Sequence, residues 1–135
     1  MKRTFCAASL CILLLFAAGT VFAQPPALVL LNSQWTGDLN FVHVDGTTSV
    51  LTGSTLIITT KNGNFFSGTI SDPAIVFSAM RGGRDLYMTA PGFKLSAEIV
   101  RGYRLHDGTR TPDTLYIQGS NFIDGSMFVG TLKKQ

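Results

Sequence analysis

The chain has 135 residues, 11 of them Lys or Arg against eight Asp or Glu, and only two cysteines. Lys2, Arg3, Cys6 and Cys11 all fall within the first 23 residues, so beyond that segment the charge is nearly balanced and no thiol remains. This excludes disulfides, thiolate catalysis and cysteine-bound metal, and it removes the basic surplus that would suggest nucleic acid.

Residues 1–23 read MKRTFCAASLCILLLFAAGTVFA. Lys2 and Arg3 make a positive start, Leu10 to Ala18 is an uncharged apolar run, and Val21-Phe22-Ala23 offers residues that signal peptidase accepts. The run is shorter than the roughly 20 apolar residues of a comfortable membrane span. A secretory signal peptide cut after Ala23 is expected, with export to the periplasm or the extracellular space. Neither cysteine is placed to carry a lipid anchor. Gln24-Pro25-Pro26 opens a short extended lead-in over 24–32, and 33–135 is expected to be a single domain. A chain of this size buries roughly 60–70% of its unfolded surface, enough for a core without staples.

Turn signals then recur along the chain: Asp45-Gly46, Asn62-Gly63, Asp72-Pro73, Gly82-Gly83, Pro91-Gly92, the longer His106–Asp113 stretch and Asp124-Gly125. Asn-Gly and Asp-Gly suit the type I′ hairpin, whose two central residues need positive φ. Runs rich in Thr, Ile, Val, Phe and Leu lie between them, and none has a helical period. They predict eight strands, at 33–44, 48–61, 64–71, 74–81, 84–90, 93–105, 114–122 and 126–133. Gly53 marks a bulge in the second.

Alternation assigns faces. In the first strand Trp35, Leu39, Phe41 and His43 oppose Asp38 and Asn40. In the sixth, Phe93, Leu95, Ala97, Ile99, Arg101, Tyr103 and Leu105 oppose Lys94, Ser96, Glu98 and Arg104. Leu86 and Met88 oppose Asp85 and Thr89, although Tyr87 stands on the polar side. The pairs Ile57-Ile58 and Phe65-Phe66 break the alternation, which points to strands covered on both faces or lying at an interface.

One phrase occurs twice, NGNFFSGTI at 62–70 and DGSMFVGTL at 124–132, each just after T-L-x-I. Aligned, Leu56 and Ile58 match Leu115 and Ile117, while Phe66, Gly68 and Ile70 match Phe128, Gly130 and Leu132. Each copy reads as a hairpin that sets Leu-x-Ile against Phe-x-Gly-x-aliphatic on one surface, with the glycine leaving room for a bulky neighbour. An even-numbered antiparallel meander can close on itself and so remove its exposed edges. The predicted fold is all-β, an eight-stranded antiparallel up-and-down barrel, with a two-sheet sandwich as the alternative.

From Trp35 to Ile70 the sequence (W-T-G, a strand, then TLIITTKNGNFFSGTI) resembles the opening of small exported calycin-type barrels, avidin-like and lipocalin-like. The resemblance implies a barrel with a pocket at one mouth. Biotin is not implied, because avidin-like pockets resemble a box of several tryptophans and Trp35 stands alone. The usual lipocalin glycine is replaced by Ser33.

No nucleophile elbow, zinc helix, phosphate loop or cofactor motif is present. His43 and His106 fall in different elements, and Glu98 is the only glutamate, so neither a metal set nor a carboxylate pair is expected. Arg101 and His43 stand out because they share the apolar parity, where a buried charge must be paired or solvated. Either could be a polar hook for a ligand. Alternatively, Arg101 stacks on Trp35 or closes the barrel bottom, and His43 is a hydrogen-bonded residue at the barrel end.

Three readings follow. The first is a carrier of a small apolar or amphipathic ligand, held in the barrel mouth by Trp35, Phe41, His43, Arg101 and Tyr103. The second is a non-enzymatic protein-partner module, such as a protease or lysozyme inhibitor, acting through Arg81, Arg84, Arg110 and their loops. The third is a cofactor-free isomerase or cyclase using His43, Arg101 or Glu98. Short strands, charges on both faces and the ending Leu132-Lys133-Lys134-Gln135 argue against a membrane-spanning barrel. The paired phenylalanines allow a homodimer.

Overall fold

The computed structural model describes residues 29–135. The expected signal peptide and lead-in residues 24–28 lie outside them. Eight strands follow in order: β1 (Gln34–Val42), β2 (Thr48–Asn62), β3 (Phe65–Ile70), β4 (Ile75–Gly82), β5 (Asp85–Ala90), β6 (Phe93–Val100), β7 (Thr114–Asn121) and β8 (Met127–Lys134). Each pairs antiparallel with the next, and β8 returns to β1 from Trp35↔Lys134 to Val42↔Met127, which closes the barrel. The domain is an all-β up-and-down barrel, and closure leaves no strand edge unpaired.

The alternation read from the sequence sorts inside from outside. All the residues matched between the two repeated hairpins face inward, and Leu56, Ile58, Phe66, Ile70, Leu115, Ile117, Phe128 and Leu132 are buried. Their glycines make the expected room. A Cβ on Gly68 would sit 2.8 Å from the Phe77 ring, and one on Gly130 would sit 2.3 Å from Leu39 Cδ2. The broken pairs resolve without a second cover, since Phe66 points in while Phe65 is 62% exposed.

Turn chemistry differs from expectation at Asn62-Gly63, and the Gly82-Gly83 hairpin follows the same pattern. Asn62 pairs with Phe65 and Gly82 with Asp85, so the loops are Gly63-Asn64 and Gly83-Arg84. Only the glycine of each has positive φ, 60° and 67° respectively. These fit type II′, which needs a left-handed residue at its first central position alone, rather than I′. Gly53, at φ 70°, forms the expected bulge: the β1–β2 register skips there, and the Asp38 carboxylate accepts the Gly53 N–H at 3.0 Å.

The sixth strand is shorter than predicted, ending at Val100 rather than 105. Its parity does run on, but into a small ribbon beyond the barrel. Thr111 N–H donates to Tyr103 O, Leu105 N–H donates to Thr109 O, and Arg104 bridges Arg110. Gly102 allows the departure, since a Cβ there would lie 1.8 Å from Thr111 O. Tyr103 and Leu105 keep the apolar phase but have no core beneath them, so both are exposed.

Three turns share one device. Asp45, Asp107 and Asp124 each precede a glycine, and each carboxylate accepts both the hydroxyl and the N–H of the next residue, Thr47, Thr109 or Ser126. These bonds favour the ionised form, the hydroxyl most, and hold all three carboxyls below their ordinary value. A depressed folded pKa gives a stabilisation that is fully present above the unfolded carboxylate value of about 3.9 and is lost as pH falls through the lower folded values. An NMR titration is expected to show each carboxyl ionising below ordinary aspartate, with the urea midpoint falling in the same acid window. Ordinary titration of all three would contradict the account.

Candidate functional site

The barrel interior is occupied by side chains. Trp35, Phe77, Phe128, Leu39, Leu56, Ile58, Leu86 and Met88 are all essentially without solvent contact. One end, called the floor here, is closed by residues 29–33. Leu30 is buried, Ser33 Oγ donates to Leu30 O, and Trp35 Nε1 donates to Ser33 Oγ at 2.9 Å. Lys134 Nζ stands 6.0 Å from the centre of the Trp35 ring, a cation over an aromatic face. The residue over Trp35 is therefore Lys134 rather than Arg101.

The residues expected to line one mouth divide between the two ends. Trp35 opens β1 and pairs with Lys134 at the floor. Arg101 and Tyr103 follow β6 at that same end, where Val100 pairs with Thr114 and Thr114 with Lys133. Phe41 and His43 lie at the far end of β1, where Val42 pairs with Met127. There Phe41 stacks on Phe128 at 5.0 Å between ring centres, and half-exposed His43 bonds Ser49 Oγ at 2.9 Å. His43 thus has the hydrogen-bonded barrel-end role. Glu98 points outward from the wall, so His43, Arg101 and Glu98 do not meet.

The loops at the floor end collect the cations. Lys61 borders the β2–β3 turn, Arg81 and Arg84 flank the β4–β5 turn, Arg101, Arg104 and Arg110 belong to the β6–β7 ribbon, and Lys133 and Lys134 end β8. The opposite end carries Asp45, Asp72 and Asp124 in its turns and Lys94 nearby. Of the three arginines expected to meet a protein partner, Arg81, Arg84 and Arg110, two are held locally. Arg110 pairs with Asp113 at 3.2 Å, and Arg81 Nε donates to Gly83 O. No other ion pair forms among the described residues, which leaves Arg84, Arg101 and Arg104 free of carboxylate partners.

A second feature lies on the outer wall. Hydrogen-bonding register aligns Tyr87, Ser96, Gln118, Val129 and Asn40 across β5, β6, β7, β8 and β1. They line a groove with two overlapping lobes of about 660 Å³ and 580 Å³. The upper lobe is mostly apolar in its lining and adds Val42, Met88, Leu95, Met127 and Phe128 along with Lys94, and the more polar lower lobe adds Asp85, Glu98, Tyr116 and Thr131. No residue of the expected mouth set borders it. One sequence signal pointed here, Tyr87 standing on the polar side of its strand.

Among the described residues, no three His, Cys, Asp or Glu side chains gather as a metal site would require, and no helix is long and apolar enough to cross a membrane. Compared with family models, curated proteins and solved structures, the chain matches none of them.

Proposed function

We propose that the protein is an exported, non-enzymatic partner-binding module that docks an acidic protein surface with the floor end of its barrel. The single observation that carries this reading is that every Lys and Arg of the barrel except Lys94 lies at the floor end, where they outnumber Asp85, Asp107 and Asp113, while the turns at the other end carry Asp45, Asp72 and Asp124. A charge pattern of this kind steers an oppositely charged partner and orients it on approach. It also disfavours a basic partner enzyme, which narrows the inhibitor reading to acidic targets. The filled interior supports a loop-based role, because a carrier in the mouth needs volume that Trp35, Phe77 and Phe128 occupy. Kinship with calycin-type barrels belongs to the same proposal and rests on the closed eight-strand meander, Trp35 beside Gly37, and the repeated Phe-x-Gly phrase. Strands of six residues and outward charges such as Lys94 and Glu98 support a soluble barrel.

The test uses poly-L-glutamate as an acidic probe, read by fluorescence anisotropy at low salt. Reversing Arg84, Arg101 and Arg104 to Glu together is expected to weaken binding more than about tenfold, and added salt near 0.15 M to weaken the native protein as well. Lys94→Glu, on the far wall, is the control and is expected to change affinity less than about twofold. Equal losses in the two variants, or unchanged binding in the triple variant, would reject the reading.

A further inference from the structure

We infer that the outer-wall groove is a binding site for an uncharged oligosaccharide, independent of the cationic floor. The groove is built around β6. Its outward residues Lys94, Ser96 and Glu98 form a polar strip, and β5 and β7 raise Tyr87 and Tyr116 on either side. Tyr87 stands opposite Ser96 and Tyr116 opposite Glu98. The two tyrosines belong to strands about 9.5 Å apart, twice the interstrand spacing. They are 54% and 49% exposed, so both rings stand free beside the polar strip, offset by two residues in register. Between them Gln118 Nε2 donates to Ser96 Oγ at 3.1 Å, so the amide is already oriented and its carbonyl remains free to accept.

This chemistry selects among ligand classes. Closure of the barrel removes any free strand edge, so an extended peptide cannot add by main-chain hydrogen bonds. A polyanion such as a nucleic acid strand meets one ammonium, Lys94, and two carboxylates, Asp85 and Glu98, with no favourable balance of charge. A hydrocarbon chain fits the Val42–Met127–Val129 margin but would cover the Asn40 amide, the free Gln118 carbonyl and the Asp85 and Glu98 carboxylates without replacing their hydration. A sugar chain offers what the groove asks for. Its C–H faces lie against tyrosine rings, and its hydroxyls exchange hydrogen bonds with amide and hydroxyl groups, which donate and accept, and donate to carboxylates, which accept. Absence of net charge in the ligand matches a groove carrying both signs, Lys94 against Asp85 and Glu98.

The experiment is a ¹⁵N NMR titration of residues 24–135 with a panel of neutral hexasaccharides built from glucose or N-acetylglucosamine, each at about 10 mM, enough to saturate a site of roughly millimolar Kd. Shifts are expected at β5–β7 amides and not in the floor loops. Tyr87→Ala and Tyr116→Ala, both exposed and away from the core, are each expected to weaken binding about tenfold, close to 1.4 kcal/mol. Retained amide dispersion shows that the variants fold. A poly-L-glutamate titration of the same sample separates the two proposals, since failure there leaves these shifts in place. The inference is overturned if no sugar perturbs β5–β7, or if both tyrosine variants bind as the native chain does. It is overturned equally if ultracentrifugation shows a stable dimer covering Tyr87 through the exposed Phe65–Met80–Tyr87 row.

Discussion

Trp35→Ala is expected to lower folding stability by about 4 kcal/mol, within the usual range for emptying a large aromatic site. Against the roughly 5–15 kcal/mol available to a single domain, that is a large fraction. The size follows from position. The indole is fully buried at the floor, its Nε1 holds Ser33 Oγ, and Ser33 in turn binds Leu30 O. Backbone bonds from Asn32 N to Ile58 O and from Ile58 N to Ser33 O tie the same segment to β2. Losing the ring therefore opens a cavity and loosens the floor together. Trp35→Phe keeps most of the packing but loses the donor to Ser33, and its cost should be nearer 1–2 kcal/mol. Urea unfolding followed by circular dichroism measures both. A cost below about 1 kcal/mol for the alanine variant would mean that the barrel is not held by its interior.

Gly68→Ala is the second large effect, with an expected cost of about 3 kcal/mol at the upper end for overpacking. The added methyl would lie 2.0 Å from Ile57 O and 2.8 Å from the Phe77 ring. The first of these is backbone in the neighbouring strand, so relief requires β2 and β3 to separate. The equivalent glycine of the repeat, Gly130, should be less sensitive, because its nearest obstacle at 2.3 Å is the end of the Leu39 side chain, which has other rotamers, and its backbone obstacle, Asp38 O, stands at 2.7 Å rather than 2.0 Å. Thermal unfolding of the two alanine variants tests the order, and a larger loss at Gly130 would contradict it.

Much of the architecture was legible in the chain because hairpin meanders are written locally. Each strand boundary carries its own Gly, Asn, Asp or Pro, and period-two alternation assigns every side chain to a face without reference to distant residues. That is why Leu56, Ile58, Phe66, Leu115, Ile117 and Phe128 could be placed on one common face beforehand, which the structure shows to be the inner one. The overlong sixth strand shows the limit of this reasoning. Alternation from Phe93 to Leu105 is continuous, and only the missing barrel wall beyond Val100 turns Tyr103 and Leu105 outward. The turn at His106-Asp107-Gly108-Thr109 repeats the signature of Val44-Asp45-Gly46-Thr47, so that ribbon had a local signal which a long-loop reading passed over.

The candidate sites lie on the other side of that limit. Grouping Trp35, Phe41, His43, Arg101 and Tyr103 in one mouth used parity alone, and parity gives the face of a strand but not the end of the barrel. The sequence by itself determined the eight strands in outline, the common face of their alternating residues, glycines that leave room for bulky neighbours, and a meander able to close. Tertiary structure alone decided that Arg84, Arg101 and Arg104 stand without carboxylate partners, and that Tyr87, Ser96, Gln118, Val129 and Asn40 form one line. The physical reason is register. Residues far apart in the chain become neighbours through the accumulated offsets of successive pairings and the closure of β8 on β1, and these are properties of the whole barrel rather than of any one hairpin.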